Sequence, residues 1–183
     1  MAHSTRTEPP DAAARARLFL ALVPDQATRA ALAQHAASWT WSAHARLYAP
    51  ADWHITLHFI GPVPRERVDA LRVALDVAPT PFELRFGQAE LWPHGLAVLL
   101  PMAVPEALRQ LHALLGDALR RLDLPADERR YRPHVTLARH AAQAGLPPRL
   151  AAFDWPVQGY ALVESTGRAQ QRYRILQRYG HGV

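Results

Sequence analysis

Two short stretches of this chain place acid–base side chains inside segments that otherwise read as buried strands. The first is Trp53-His54-Ile55-Thr56-Leu57-His58-Phe59-Ile60-Gly61, and the second, 80 residues later, is His134-Val135-Thr136-Leu137-Ala138-Arg139. Successive side chains of a β-strand point to opposite faces. His54 therefore shares a face with Thr56, and His134 with Thr136, while Ile55, Leu57, Val135 and Leu137 turn away and can be buried. Two imidazoles on opposite walls of a cleft can divide a reaction between them, one taking a proton from a nucleophile and the other giving one to a leaving group. The two threonine hydroxyls can donate hydrogen bonds to oxyanions held between them. The arrangement suits in-line displacement at phosphorus, where attacking and leaving oxygens lie on opposite sides. A lone His-x-Thr in a strand is more often a structural hydrogen-bonded pair; its duplication at matching positions favours the functional reading.

Each motif needs a strand to hold it, and the flanking sequence supplies the same frame twice. The apolar run Arg17 to Val23 reads as a buried strand that stops at Pro24, and Asp25 can cap a helix from Gln26 to Trp39. The first motif follows Tyr48-Ala49-Pro50 and ends at Gly61-Pro62. In the second half, the strand Leu96 to Leu100 stops at Pro101. Pro105 and Glu106 then open a helix with an apolar stripe of Leu108, Leu111, Leu115, Ala118, Leu119 and Leu122. A loop carrying Arg129, Arg130 and Arg132 delivers the second motif. Pro24 lies 30 residues before His54 and Pro101 lies 33 before His134, so the spacing predicts two halves related by a pseudo-twofold axis. Between and after these frames, the sequence predicts a helix opening near Pro64 with Val68, Leu71, Leu75 and Ala78 inward. It also predicts a hairpin of Phe82 to Phe86 with Leu96 to Leu100, a loop at Pro147-Pro148, and a closing hairpin of Gln158 to Ser165 with Arg172 to Tyr179.

Three further residues near the motifs invite a role. Arg139 could neutralise phosphate charge, but its odd offset from Thr136 turns it to the other face of an ideal strand unless the strand ends or a bulge follows after Leu137. His58 lies four residues after His54, the spacing of helical zinc-protease motifs. Those motifs require a helix and a glutamate after the first histidine, whereas Ile55 stands there in a β-branched, aromatic stretch. In a strand His58 shares the face of His54, either as a solvent-facing spacer or as a substrate contact. Parity points Phe59 away from His54. His3, His35, His44, His112 and His181 read as surface or satisfied core residues.

Composition bounds the rest. A chain of 183 residues with 49% apolar content can form one domain with a substantial core, or two small lobes that share one. Residues 1–16 are polar, contain Pro9-Pro10 and read as a disordered tail, leaving 17–183 as a single bilobal domain. No apolar run reaches the roughly 18 residues of a membrane span. The absence of cysteine rules out disulfides and thiolate zinc sites, and fits a cytoplasmic protein. All 21 basic residues are arginine and the net charge is +5. That excess reflects either an anionic partner or a coding bias; the planar arginine fork does suit phosphate.

The paired stretches His-Ile-Thr-Leu-His-Phe-Ile-Gly and Pro-His-Val-Thr-Leu-Ala-Arg resemble the signatures of the 2H phosphoesterase superfamily, and within it the bacterial RNA 2′,3′-cyclic phosphodiesterases, also called 2′-5′ RNA ligases. The likeness extends from Arg17-Leu18-Phe19-Leu20-Ala21 to Tyr173-Arg174-Ile175-Leu176. It implies an α+β fold of two antiparallel sheets around a central cleft with helices outside, no metal or other cofactor, and hydrolysis of a cyclic phosphate to a 2′-phosphate. The substrates it implies are RNA ends or nucleoside 2′,3′-cyclic phosphates, with neither a membrane nor an obligate protein partner. It also implies His54 and His134 as the acid–base pair, with His134 the base and His54 the acid. Thr56, Thr136 and Arg139 would bind phosphate and Phe59 would neighbour the base, while His58 falls at a variable position. Joining of RNA ends through a 2′-5′ linkage by the same groups, and a non-catalytic RNA-end binding module, remain open alternatives.

Overall fold

The computed structural model describes residues 15–127, 129–149, 151–168 and 171–180. The first half holds β1 (Arg15–Leu22), α1 (Gln26–Ala37), β2 (Arg46–Leu47), β3 (Ile55–Pro64) and α2 (Val68–Ala74). There follow β4 (Phe82–Trp92), β5 (Leu96–Pro101), α3 (Glu106–Arg121), β6 (Val135–Arg139), β7 (Phe153–Val157), β8 (Gly159–Ser165) and β9 (Tyr173–Gly180). Local chemistry accounts for the main boundaries. The Asp25 carboxylate accepts the Thr28 N–H at 2.7 Å and caps α1, and Pro105 fixes the entry to α3, whose Leu108, Leu111, Leu115, Ala118 and Leu119 are all buried. The helix expected from Pro64 is shorter: β3 runs through Pro64, a 3₁₀ turn follows, and Ala78 lies beyond the helix end. β7 has no counterpart in the sequence reading. Pro156 argues against a strand there, yet β7 is the outermost strand, and only an edge tolerates proline's missing donor.

All the paired strands are antiparallel, in the order β7-β4-β5-β6-β3-β1-β8-β9, with β2 on the free part of β6. This corrects the expectation of two separate sheets. One hydrogen-bonded network runs through both halves because the motif strands β3 and β6 pair with each other, through Ile55 and Val135. On either side of that joint the order matches: motif strand, then the strand that leads into a helix (β1 or β5), then two more. The helices cross over, so that α3 packs on β3 and α1 on β7. One core links the halves, with Leu20, Ile55 and Leu57 of the first, Leu99, Val135 and Leu137 of the second, and Leu32, Leu111 and Leu115 from the helices. The aliphatic faces of both motif strands are thus covered, leaving the His-x-Thr faces for the cleft. Of the expected tail, residues 1–14 lie outside the described residues, and Arg15 and Ala16 are the first residues of β1.

Candidate active site

The joint between the halves builds the site. Ile55 pairs with Val135 in antiparallel register, so continuing one residue each way sets His54 opposite Thr136 and Thr56 opposite His134. The strands splay beyond this pair and the four side chains line a cleft of about 100 Å³, together with Tyr48, Asp52 and Tyr173. Each histidine stands immediately before its strand, and its ring folds back on the chain in the same way. His54 Nδ1–H donates to the Asp52 carbonyl at 2.7 Å, and His134 Nδ1–H to the Arg132 carbonyl at 2.8 Å. A carbonyl oxygen only accepts, so both Nδ1 atoms carry hydrogen and both Nε2 atoms remain for chemistry.

The two imidazoles differ in their electrostatic setting. Burial pushes both below the ordinary histidine range, and the carbonyl bonded to each Nδ1 partly opposes that. For His54 the charge of His134 adds to the lowering, while the Asp52 carboxylate raises it again. For His134 the second charge is the Arg132 guanidinium, which lowers it further. A carboxylate favours the imidazolium at one position and an arginine favours neutral imidazole at the other. Phe19 and Tyr173 hold the His54 ring at centroid distances of 5.0 and 5.1 Å, and Trp92 lies 4.4 Å from that of His134.

Both motif strands carry a bulge at the leucine after the threonine, and this overturns the parity argument for three residues. On β3, Thr56 pairs with Ala21 but His58 with Leu20, leaving Leu57 as an extra residue. On β6, Thr136 pairs with Val98 but Ala138 with Ala97, leaving Leu137 extra. A bulge sends two consecutive side chains to one side and reverses every position after it. His58 is therefore no substrate contact or solvent spacer: it is 2% exposed, its Nε2–H donates to the His112 carbonyl at 2.8 Å, and its ring stacks on His112. Phe59 turns instead to the cleft side, 46% exposed beneath the Arg17 guanidinium. Arg139 turns the same way, 6.0 Å from the ring of Tyr48, a cleft-wall residue, although it does not itself line the central cleft.

Larger cavities open on either side. One of about 440 Å³ lies on the His54 side, with Arg17, Phe19, Phe59, Thr166 and Tyr173. The other, about 460 Å³, lies on the His134 side, with Phe59, Trp92, Leu96, Tyr131 and Arg130. Tyr48, Trp92 and Tyr173 escaped the sequence reading because they come from segments with no motif of their own, and Asp52, two residues before His54, because a lone carboxylate in a turn carries no signal of its own. Tyr48 reaches the cleft because its N–H donates to the Leu137 carbonyl at 2.8 Å, a contact that only the folded sheet creates. Among the described residues no group of three or more His, Asp or Glu side chains is placed to hold a metal ion.

Comparisons with known proteins agree with this geometry. The family model of the 2′-5′ RNA ligase superfamily matches residues 23–168, which include both motifs. An RNA 2′,3′-cyclic phosphodiesterase of Thermus thermophilus is 30% identical over 178 residues, spanning 89% of each chain. One of Escherichia coli is 32% identical over 143 residues, covering 73% of this chain and 78% of its own. The crystal structure of E. coli LigT complexed with 3′-AMP superposes with a TM-score of 0.81 at 26% identity, covering 92% of this chain and 99% of that one. With paired His-x-Thr strands meeting at one cleft and a match over most of its length, the chain belongs to the 2′-5′ RNA ligase superfamily.

Proposed function

We propose that this protein is a metal-independent RNA 2′,3′-cyclic phosphodiesterase that opens the cyclic phosphate to leave a 2′-phosphate. The observation that carries the reading is the matched pinning of His54 and His134, each through Nδ1, which commits both Nε2 atoms to one cleft. The cyclic phosphate sits between them, with its non-bridging oxygens accepting from the Thr56 and Thr136 hydroxyls. Neutral His134 takes a proton from water as the water oxygen attacks phosphorus; protonated His54 gives its proton to the departing 3′ oxygen. The Asp52 carboxylate beside His54 and the Arg132 guanidinium beside His134 support that direction. Arg139, on the cleft side next to Tyr48, adds positive charge near the phosphate. Relatives spanning most of the chain are RNA 2′,3′-cyclic phosphodiesterases, and a LigT structure complexed with 3′-AMP supports a nucleotide-sized occupant.

The test is incubation of the purified protein with adenosine 2′,3′-cyclic phosphate in excess chelator, with the product identified by chromatography. Formation of 2′-AMP at an undiminished rate is expected. Binding without turnover would favour an RNA-end binding module, and activity lost to chelator and restored by a divalent cation would replace the two-histidine mechanism.

A further inference from the structure

The carbonyl that orients each imidazole belongs to the residue two positions before it, Asp52 for His54 and Arg132 for His134. Both of these residues are charged, and both side chains are gripped from a distant part of the sheet. The Asp52 carboxylate lies 3.6 Å from Nε of Arg172, the residue just before β9, and the Arg172 guanidinium lies over the Tyr48 ring at 4.8 Å. Arg132 donates to the Glu90 carboxylate of β4 at 3.0 Å, and its guanidinium lies over the Trp92 ring at 4.4 Å. A carboxylate, a guanidinium and an aromatic face thus recur together, with the charges exchanged between the two sides. The aromatic parts are tied to the cleft as well: Tyr48 lines it, while Trp92 lies against the His134 ring and donates its indole N–H to the same Glu90 carboxylate.

Neither carbonyl is held by a strand. Asp52 closes a 3₁₀ turn, and Arg132 stands in an irregular stretch before β6. A peptide in such a stretch can rotate and take the imidazole with it, unless its side chain is anchored elsewhere. We infer that Arg172 and Glu90 are positioning residues: each fixes the peptide whose carbonyl aims one imidazole into the cleft, and each tempers the charge that the same residue's side chain places beside the ring. The inference rests on the two-histidine reading above.

The two effects leave a signature that a merely structural contact would not. Asp52 favours the imidazolium at His54, and Arg172 offsets its charge; without Arg172 the carboxylate acts unopposed and His54 keeps its proton to higher pH. Arg132 favours neutral imidazole at His134, and Glu90 offsets it; without Glu90 the guanidinium acts unopposed and His134 loses its proton at lower pH. Loss of either partner therefore widens the pH window on one side while lowering the rate within it. Around His54 the other titratable groups are His134, Tyr48, Tyr173 and, across the adjoining cavity, Arg17. Around His134 they are His54 and the cavity residues Asp127, Arg129, Arg130, Tyr131 and His112. All of them stay in place when Arg172 or Glu90 is replaced, so a shift reports the altered pair.

The experiment compares Arg172→Met, Arg172→Lys and Glu90→Gln with the unaltered protein. Both positions are partly exposed, so the core is untouched, and glutamine still accepts the Trp92 N–H. NMR titration of the two imidazoles in the free protein is paired with the pH dependence of kcat on adenosine 2′,3′-cyclic phosphate. Arg172→Met should raise the ionisation of His54 and move the alkaline limb to higher pH; Glu90→Gln should lower that of His134 and move the acid limb to lower pH. Each should reduce kcat at the optimum by about 2- to 30-fold with KM near its original value. Arg172→Lys, which keeps the cation, should leave both limbs in place. Ionisations that stay put in Arg172→Met and Glu90→Gln, a loss carried by KM alone, or an Arg172→Lys shift as large as that of Arg172→Met would overturn the inference in a protein that still hydrolyses the substrate. An unaltered protein with no turnover would defeat the hydrolase reading, and the positioning role with it.

Discussion

Replacing the 3′ oxygen of the cyclic phosphate by sulfur separates the roles of the two histidines. In the proposed reaction His54 protonates the leaving oxygen, an alkoxide that departs poorly without a proton. Its Nδ1–H is committed to the Asp52 carbonyl at 2.7 Å, so the transferable proton is the one on Nε2, and alanine removes it without a substitute. One general acid contributes roughly 10²- to 10⁴-fold. In barrier terms that is about 3–5 kcal/mol. A thiolate leaves with little need of protonation, because a thiol pKa is near 8.5. His54→Ala should therefore lose roughly 10²- to 10⁴-fold on the oxygen substrate and most of that deficit should vanish on the 3′-thio analogue. His134→Ala should stay impaired on both, since water still needs a base. The assay is single-turnover release of the 2′-phosphate product by each variant on each substrate. Rescue of His134→Ala in place of His54→Ala would exchange the roles, and rescue of neither would refute the division of labour.

Three other expectations rest on particular contacts. Removing the charge at Asp52 takes away a group that raises His54, so Asp52→Asn should move the alkaline limb of the pH–rate profile to lower pH and leave the acid limb, set by His134, in place; movement of the acid limb alone would reverse the assignment. Thr56→Ala and Thr136→Ala should each cost about 10- to 1000-fold in rate with melting temperatures near wild type, because both hydroxyls face the cleft. A large drop in melting temperature would show that the threonines hold their strands instead. Burial and the neighbouring His58 lower His112 to about 4, well under its unfolded value of 6.5, so the unfolded chain binds more protons between those limits and stability should fall as pH drops through that window. The gap corresponds to about 3 kcal/mol. Chemical denaturation at several pH values should show a loss of that order that His112→Phe flattens; an unchanged slope in the variant would place the loss elsewhere.

How much of this was legible in the sequence can be judged residue by residue. His54, Thr56, His134 and Thr136 were identifiable because period-two alternation is local, and the duplication with matched spacing pointed to one shared cleft. Asp25 and the Leu108 to Leu119 stripe likewise marked their helices. Phe59 and His58 were misplaced because the alternation was carried past Leu57, where a bulge reverses it; a bulge is fixed by pairing with β1, and no residue type announces it. For Arg139 the requirement of a strand end or bulge after Leu137 could be stated; the bulge falls at Leu137 itself. The single sheet was not foreseeable, since its continuity hangs on one cross-strand pair between residues 80 apart. Tyr48 and Tyr173 reach the cleft through tertiary pairing and Trp92 by packing against His134, whereas Asp52 is brought there locally, by the turn just before His54.

The central claim is that His54 and His134 act together on one phosphate, and the most direct measurement of it is the rate of the double alanine variant against the two single ones on adenosine 2′,3′-cyclic phosphate. Groups that serve a single transition state are not independent, so the double variant should be little slower than the worse single variant, with each single loss roughly 10²- to 10⁴-fold. Single losses that multiply in the double variant, or a single variant that keeps near wild-type turnover, would contradict the account.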